Sequence, residues 1–156
     1  MSEQATGKQL IVVGGPNGSG KSTLAREILE AKGFNYISAD DIAYELNASN
    51  PESVRIQAGK EFFSRLDRAA QNGKNILIES TLSGKSLISL IDKYSVEFSY
   101  TIIVVFVYVS NVDVCAQRVA VRVQKGGHDV PLKDIKRRFG RCLYNFWHYY
   151  RYQSNQ

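Results

Sequence analysis

A glycine-rich run between an apolar segment and a helix-forming segment constrains this chain more than any other feature. The run GPNGSGKS, from Gly15 to Ser22, matches the pattern G-x-x-x-x-G-K-[ST] in full. Before it, the β-branched apolar residues 9–13 predict a buried strand. After it, residues 21–32 predict a helix that ends at Gly33. A glycine-rich turn with a chance lysine is the alternative, but the complete match between a strand and a helix favours a phosphate-binding loop.

A phosphate-binding loop of this kind predicts a nucleoside triphosphate and magnesium as ligands. Its glycines let backbone N–H groups point at phosphate oxygens, and the following helix N-terminus adds a partial positive charge. We expect Lys21 to reach the β- and γ-phosphates of ATP, and the Ser22 hydroxyl to ligate Mg²⁺. The predicted nucleotide-binding residues are Gly15, Pro16, Asn17, Gly18, Ser19, Gly20, Lys21, Ser22 and Thr23. The motif leaves the reaction open, because kinases, hydrolases and motor ATPases share it.

Strand and helix patterns alternate along the rest of the chain. Strands are predicted at residues 35–38, 75–78 and 101–109, and helices at 40–46, 51–71, 86–93, 112–125 and 131–150. Asp40 is the predicted N-cap of the first of these helices. The alternation predicts an α/β fold of three layers, with a mainly parallel sheet of four to five strands and helices on both faces. The 156 residues fit one domain, residues 1–156.

Polar residues follow the predicted strands, where ligands bind in open α/β sheets. Asp40 follows the second strand, and we expect its carboxylate to accept the proton of an attacking substrate hydroxyl. Helix capping alone is the alternative role for Asp40. Glu79 and Thr81 follow the third strand and are predicted to contact the substrate. A salt bridge to an arginine or lysine is an equally open interpretation for Glu79.

Two arginine-bearing helices joined by a glycine-rich loop predict a helical lid at about residues 118–141. Arg118 and Arg122 share one helix face, and Arg137 and Arg138 lie on the next helix. We expect Arg122 and Arg138 to stabilise the transferring phosphoryl group. Arg118 and Arg137 are the predicted substrate contacts. A solvated basic surface is the alternative for each arginine.

Composition adds few constraints. The formal charge of +5 suits an anionic ligand but does not identify it. The two cysteines match no metal motif, which favours a reducing cytoplasm. No signal-peptide pattern is present, and the longest apolar run is shorter than the about 20 residues that span a membrane. Aromatic residues 147–152 beside basic ones leave nucleic-acid binding open, although helix packing is the more common role.

Five segments together resemble the zeta-toxin-like P-loop kinases, which include small bacterial proteins described as predicted ATPases. They are GGPNGSGKST, SADDIA, IESTLSG, RVAVRVQKGGHDVP and IKRRFGR, and the resemblance covers residues 10–150. It implies transfer of the ATP γ-phosphate to a hydroxyl of UDP-N-acetylglucosamine, with Asp40 as the base. It also implies substrate contacts at Glu79 and Thr81, phosphate-clamping arginines at Arg122 and Arg138, and a protein antitoxin as a partner.

Two departures from that family affect what is expected. Ser38 stands where many relatives carry an acidic or amide residue, and the chain ends at Gln156 where relatives continue into a final strand. We therefore expect a missing fifth strand and an exposed sheet edge that a partner or a second copy could cover. A plain ATPase, a kinase for a nucleoside or an RNA end, and a nucleotide- or nucleic-acid-binding module without turnover are the alternative functions.

Overall fold

A central parallel sheet organises the chain, whose computed structural model describes residues 7–154. The strands are β1 Gln9–Gly14, β2 Asn35–Ile37, β3 Ile76–Ser80 and β4 Thr101–Phe106. They lie in the order β2-β3-β1-β4, and every pairing is parallel. The predicted parallel sheet is therefore confirmed with four strands in the described part of the chain.

Helices cover both faces of the sheet. They are α1 Lys21–Lys32, α2 Ala39–Leu46, α3 Arg55–Gln71, α4 Ser86–Phe98, α5 Val112–Gln124 and α6 Leu132–His148, with single 3₁₀ turns at Pro51–Val54 and Tyr150–Tyr152. Among residues 7–154, no helix combines the length and apolar character needed to cross a membrane.

The residues of β1 show why the fold has three layers. Leu10 and Val12 belong to one buried apolar cluster, whereas Ile11 and Val13 belong to another. Because successive side chains of a strand point to opposite faces, β1 is buried on both sides. The predicted α/β fold with helices on both faces is confirmed.

The boundary after β2 differs from the prediction. The N-cap of α2 is Ser38, whose Oγ accepts a hydrogen bond from the Asp41 backbone N–H at 3.3 Å. The prediction of Asp40 as the N-cap was wrong, because the helix begins at Ala39, two residues earlier than a cap at Asp40 requires. Asp40 lies in the first helical turn with an exposed side chain. Its carboxylate is therefore not used for capping.

The chain after α6 reaches the open edge of the sheet. The Val104 backbone N–H of β4 donates to Ser154 Oγ at 3.0 Å. No fifth strand pairs with β4 within residues 7–154. In this region a serine side chain, rather than a neighbouring strand, satisfies one backbone donor of the edge.

Two glycines lie inside helices without a packing reason. Outside the backbone of its own helix, a Cβ placed on Gly59 of α3 or on Gly140 of α6 would meet no atom of the described residues within 4 Å. A glycine inside a helix costs about 0.5–1 kcal/mol relative to alanine. Close packing between parts of this protein therefore does not explain either residue.

The side chain of Asn145 holds α6 against the loop that follows β3. Its Nδ2 donates to the Leu82 carbonyl oxygen at 2.8 Å, and Asn145 is only 5% exposed. One turn later, the Tyr150 hydroxyl donates to the Gly84 carbonyl oxygen at 2.6 Å. Leu82 has a positive φ of 54°, so the loop backbone is locally strained. The two hydrogen bonds from Asn145 and Tyr150 hold the loop in this conformation.

We predict that Asn145→Ala lowers the free energy of unfolding by about 2 kcal/mol, because it leaves a buried carbonyl without its donor. Asn72→Ala is the matched control, since Asn72 Nδ2 also donates to a carbonyl oxygen at 2.8 Å but is exposed. The control is expected to change stability by about 0.5 kcal/mol or less. Urea denaturation measures both, and equal losses would show that burial of Asn145 is not the deciding factor.

Candidate active site

The glycine-rich loop connects β1 to α1 and is shaped by close packing. Gly18 has a φ of 73°, and a Cβ placed on it would lie 2.7 Å from the Cys115 carbonyl oxygen of α5. Gly20 is the N-cap of α1, with a φ of 99°. Lys21 Nζ donates to the Pro16 carbonyl oxygen at 2.8 Å. The ammonium group therefore lies against the loop backbone that is expected to surround the phosphates.

The loop contains polar groups that lack partners. Burial lowers the pKa of Lys21, and the charge of Glu79 is the largest effect in the opposite direction. Asn17 Oδ1 and Ser19 Oγ are buried without a hydrogen-bond partner in the described residues. Such groups are costly in a folded protein. A bound polyphosphate with its water molecules would provide a counter-charge for Lys21 and partners for both side chains.

A carboxylate at the end of β3 connects two neighbouring elements. Ser22 Oγ donates to Glu79 Oε2 at 2.9 Å, and the Tyr36 hydroxyl of β2 donates to Glu79 Oε1 at 2.6 Å. Burial and this bond to Glu79 raise the pKa of Tyr36. Glu79 forms no salt bridge within residues 7–154, so the alternative pairing with an arginine or lysine is not present there.

The Ser22–Glu79 pair fits magnesium better than a transition metal. Both residues offer oxygen atoms at one point of the loop, and Mg²⁺ is held by one or two protein oxygens together with phosphate oxygens and water. The described residues contain no group of three or more histidine, cysteine, aspartate and glutamate side chains that could hold a metal. Ser22 and Glu79 are therefore the residues that would hold Mg²⁺.

A cavity of about 590 Å³ brings most of the predicted site residues together. The predicted residues that line it are Asn17, Gly18, Lys21, Ser22, Asp40, Glu79, Thr81, Arg122 and Arg138. They come from the glycine-rich loop, α2, the end of β3, α5 and α6. The carboxyl ends of the parallel strands thus meet the glycine-rich loop, as in other open α/β sheets.

The four predicted arginines occupy different environments. Arg138 is half-buried in the cavity wall and has no hydrogen bond or ion pair with the described residues. Burial, then the nearby charge of Arg55, lowers the pKa of Arg138. Arg122 also lines the cavity, where Nε and Nη2 donate to the His128 carbonyl oxygen at 3.2 and 2.9 Å. Arg138 is therefore the guanidinium with most capacity for an anionic ligand.

The other two arginines lie outside that cavity. Arg118 Nη1 donates to the Gly18 carbonyl oxygen at 3.4 Å, which places it beside the glycine-rich loop. Arg137 is exposed and pairs with Asp134 at 2.9 Å. Their predicted substrate contacts, like closure of the lid over residues 118–141, stay predictions.

Some residues in and beside the cavity were not predicted from the sequence. Tyr36 does not line the cavity but contacts Glu79 from an edge strand, and no sequence pattern couples these two distant positions. Arg55 and Phe63 of α3 line the cavity. Their spacing on one helix face was a usable signal, but it equally fits a surface helix with a buried stripe.

Residues 10–141 match a protein-family model described as an AAA domain. The chain belongs to this family. An uncharacterized protein of Haemophilus influenzae is 32% identical over 125 residues, which cover 80% of this chain and 88% of that protein. A cytidylate kinase of Sulfurisphaera tokodaii is 35% identical over 94 residues, 53% of this chain and 51% of that one.

Solved structures agree on the fold. A chain of the Pnkp1/Rnl/Hen1 RNA repair complex has a TM-score of 0.74 at 18% identity over 96% of this chain, which spans only 49% of that chain. A chain of the PezAT toxin–antitoxin system of Streptococcus pneumoniae scores 0.67 at 18% identity, over 80% of this chain and 55% of that one. Shikimate kinase of Acinetobacter baumannii has a TM-score of 0.58 at 17% identity, over 95% of this chain and 81% of that one.

These comparisons establish a P-loop kinase-like domain. The predicted resemblance is confirmed at that level, and the zeta-toxin subgroup is a finer assignment than the family match provides. At such identities a shared structure shows a shared fold, whereas substrate and partner depend on the residues of each site.

We predict that Lys21→Met raises the melting temperature of the nucleotide-free protein by about 2–4 °C, because it removes a poorly solvated charge. Below its ordinary pKa of 10.5, protonated Lys21 destabilises the fold, since burial lowers its pKa in the folded state. The gain should therefore shrink as the pH rises toward 10.5. Calorimetry at several pH values measures it, with exposed Lys60→Met as the control. A lower melting temperature for Lys21→Met at neutral pH would contradict this account.

Proposed function

We propose that this protein is a magnesium-dependent kinase that transfers the γ-phosphate of ATP to a hydroxyl of a small molecule. One observation carries the proposal. The carboxylate of Asp40 and the guanidinium of Arg138, which has no partner among the described residues, line the same cavity as Lys21 and Ser22 of the glycine-rich loop. A base and a free cation facing a phosphate-binding loop are the groups that phosphoryl transfer needs.

Each group then has a defined role. The loop N–H groups and Lys21 bind the β- and γ-phosphates, and Ser22 and Glu79 hold Mg²⁺. When bound, Mg²⁺ neutralises charge on the phosphate oxygens. Asp40 accepts the acceptor's hydroxyl proton while the hydroxyl oxygen bonds to the γ-phosphorus and the bond to ADP breaks. Arg138, assisted by Arg122, stabilises the charge on the transferred group.

The first acceptor to test is UDP-N-acetylglucosamine. The segments shared with zeta-toxin-like kinases and the fold shared with the PezAT chain support it. A cavity of about 590 Å³ lies within the range of roughly 300–1,000 Å³ that holds small-molecule ligands. A protein antitoxin and a cytoplasmic location belong to the same proposal.

A polynucleotide 5′-hydroxyl is a second candidate acceptor, favoured by the surface beside the cavity. Lys85 Nζ lies 4.2 Å from the Tyr149 ring centre and donates to its hydroxyl at 3.0 Å. The Arg151 guanidinium lies 5.4 Å from the exposed Trp147 ring. Gly84, the neighbour of Lys85, lines the cavity. Aromatic rings beside cations can stack on unpaired bases.

We predict that Asp40→Asn lowers phosphoryl transfer by about 10²-fold or more, because the base is lost, while ATP binding is retained. The assay uses γ-labelled ATP with Mg²⁺ and either UDP-N-acetylglucosamine or a 5′-hydroxyl oligonucleotide. Asp41→Asn is the matched control, since Asp41 is adjacent but does not line this cavity. Full activity of Asp40→Asn would rule out Asp40 as the base.

The labelled product distinguishes the candidate functions. Label on the sugar nucleotide that is lost in Lys21→Ala supports the zeta-type kinase. Label on the oligonucleotide supports the polynucleotide kinase. Free phosphate as the sole product indicates an ATPase, and ATP binding without turnover indicates a binding module.

The contact between Tyr36 and Glu79 predicts a change in magnesium dependence. Tyr36→Phe removes the hydroxyl that positions the Glu79 carboxylate. Loss of a hydrogen bond that positions a metal ligand should raise the half-saturating Mg²⁺ concentration about tenfold. ATP turnover as a function of Mg²⁺ concentration measures this. Tyr100→Phe is the control, because its hydroxyl donates to the Lys74 carbonyl oxygen, away from the cavity. An unchanged Mg²⁺ requirement would contradict the role of Tyr36.

A further inference from the structure

One face of α3 forms a wall of the cavity. Arg55, Gly59, Phe62 and Phe63 all line it. Positions separated by three or four residues share a helix face, so these side chains follow one another along the wall. None of these residues belongs to the glycine-rich loop or to the groups proposed for phosphoryl transfer.

Gly59 leaves a gap in the middle of this wall. Outside the backbone of its own helix, a Cβ placed on it would meet no atom of the described residues within 4 Å. Alanine would therefore fit the protein and favour the helix. Gly59 itself lines the cavity, and the position of its absent Cβ is open space. The missing side chain thus enlarges the cavity at the expense of helix stability.

The residues on either side of the gap define the chemistry that fits it. One turn before Gly59, the one ion pair of Arg55 with the described residues is an exposed contact with Glu52 at 3.2 Å, so most of its donors remain available. After Gly59, Phe62 and Phe63 form an edge-to-face pair with ring centres 5.4 Å apart. A guanidinium on one side and aromatic carbon on the other suit a molecule with both an anionic group and a flat ring.

We propose that Gly59 is a specificity-determining position, whose missing side chain makes room for the ring of the acceptor while Arg55 binds the acceptor's anionic group. This inference rests on the proposed kinase function, because it assigns the α3 wall to the acceptor. The glycine-rich loop marks the part of the cavity that binds the ATP phosphates. The α3 wall is thus left for the second substrate.

Calorimetric titration with uridine, uridine 5′-monophosphate and UDP-N-acetylglucosamine tests the proposal in the presence of ADP and Mg²⁺. Gly59→Ala should raise the dissociation constant of all three about tenfold, because its methyl group occupies ring space. Gly140→Ala is the matched control, since Gly140 is an equally open helical glycine outside the cavity. Both variants should melt about 2–4 °C higher, because alanine favours the helix. If Gly59→Ala is more stable yet binds acceptors less well, damage to the fold does not explain its lower affinity.

Arg55→Gln separates the anionic contact from the ring contact. It should weaken binding of the monophosphate about tenfold and leave uridine unchanged, because uridine carries no phosphate. In contrast, Gly59→Ala should affect both ligands.

Three results would overturn the proposal. These are wild-type affinity of Gly59→Ala for all three probes, a lower melting temperature for that variant, and no binding of any probe to the wild-type protein. Binding of ATP and its loss in Lys21→Ala are measured in the same preparations. Failure of the proposal that the α3 wall binds the acceptor can therefore be distinguished from failure of the kinase proposal.

Discussion

The parallel pairing of β1 with β3 and β4 is the constraint on which the rest of the site depends. Val13 is in register with Glu79, and Gly14 with Ser80. The chain leaves β1 directly into the glycine-rich loop, so the loop begins beside the end of β3. That register allows Ser22 of α1 to reach Glu79 at 2.9 Å. A shift of one residue would turn Glu79 to the other face of the sheet and separate the pair.

The charges around the cavity show how this fold balances stability against function. The ammonium group of Lys21 and the guanidinium of Arg138 are both partly withdrawn from water, and burial lowers the pKa of each. Neither forms a salt bridge within the described residues. Poorly solvated cations without anionic partners destabilise a protein on its own. A polyphosphate would reverse that cost on binding, because it supplies the missing negative charge.

Helix α6 connects the two ends of the site. It carries Arg138 in the cavity wall, and its Asn145 holds the loop after β3 through the Leu82 carbonyl. Thr81 in that loop also lines the cavity. The position of the cation and the shape of the loop are therefore coupled through one rigid element. Changes in α6 that tilt the helix would alter both at once.

The sequence by itself determined the glycine-rich loop, its flanking strand and helix, and the alternation that gives an α/β fold. These features follow from local patterns, because apolar periodicity and glycine positions act over a few residues. Only the tertiary structure decided the strand order and the bond from Tyr36 to Glu79. It also decided that Arg137 is paired while Arg138 has no partner among the described residues. It also showed that Ser38 caps α2 and that Gly59 lines the cavity. Apart from the local cap, these depend on contacts between residues far apart in the chain, which local spacing does not encode.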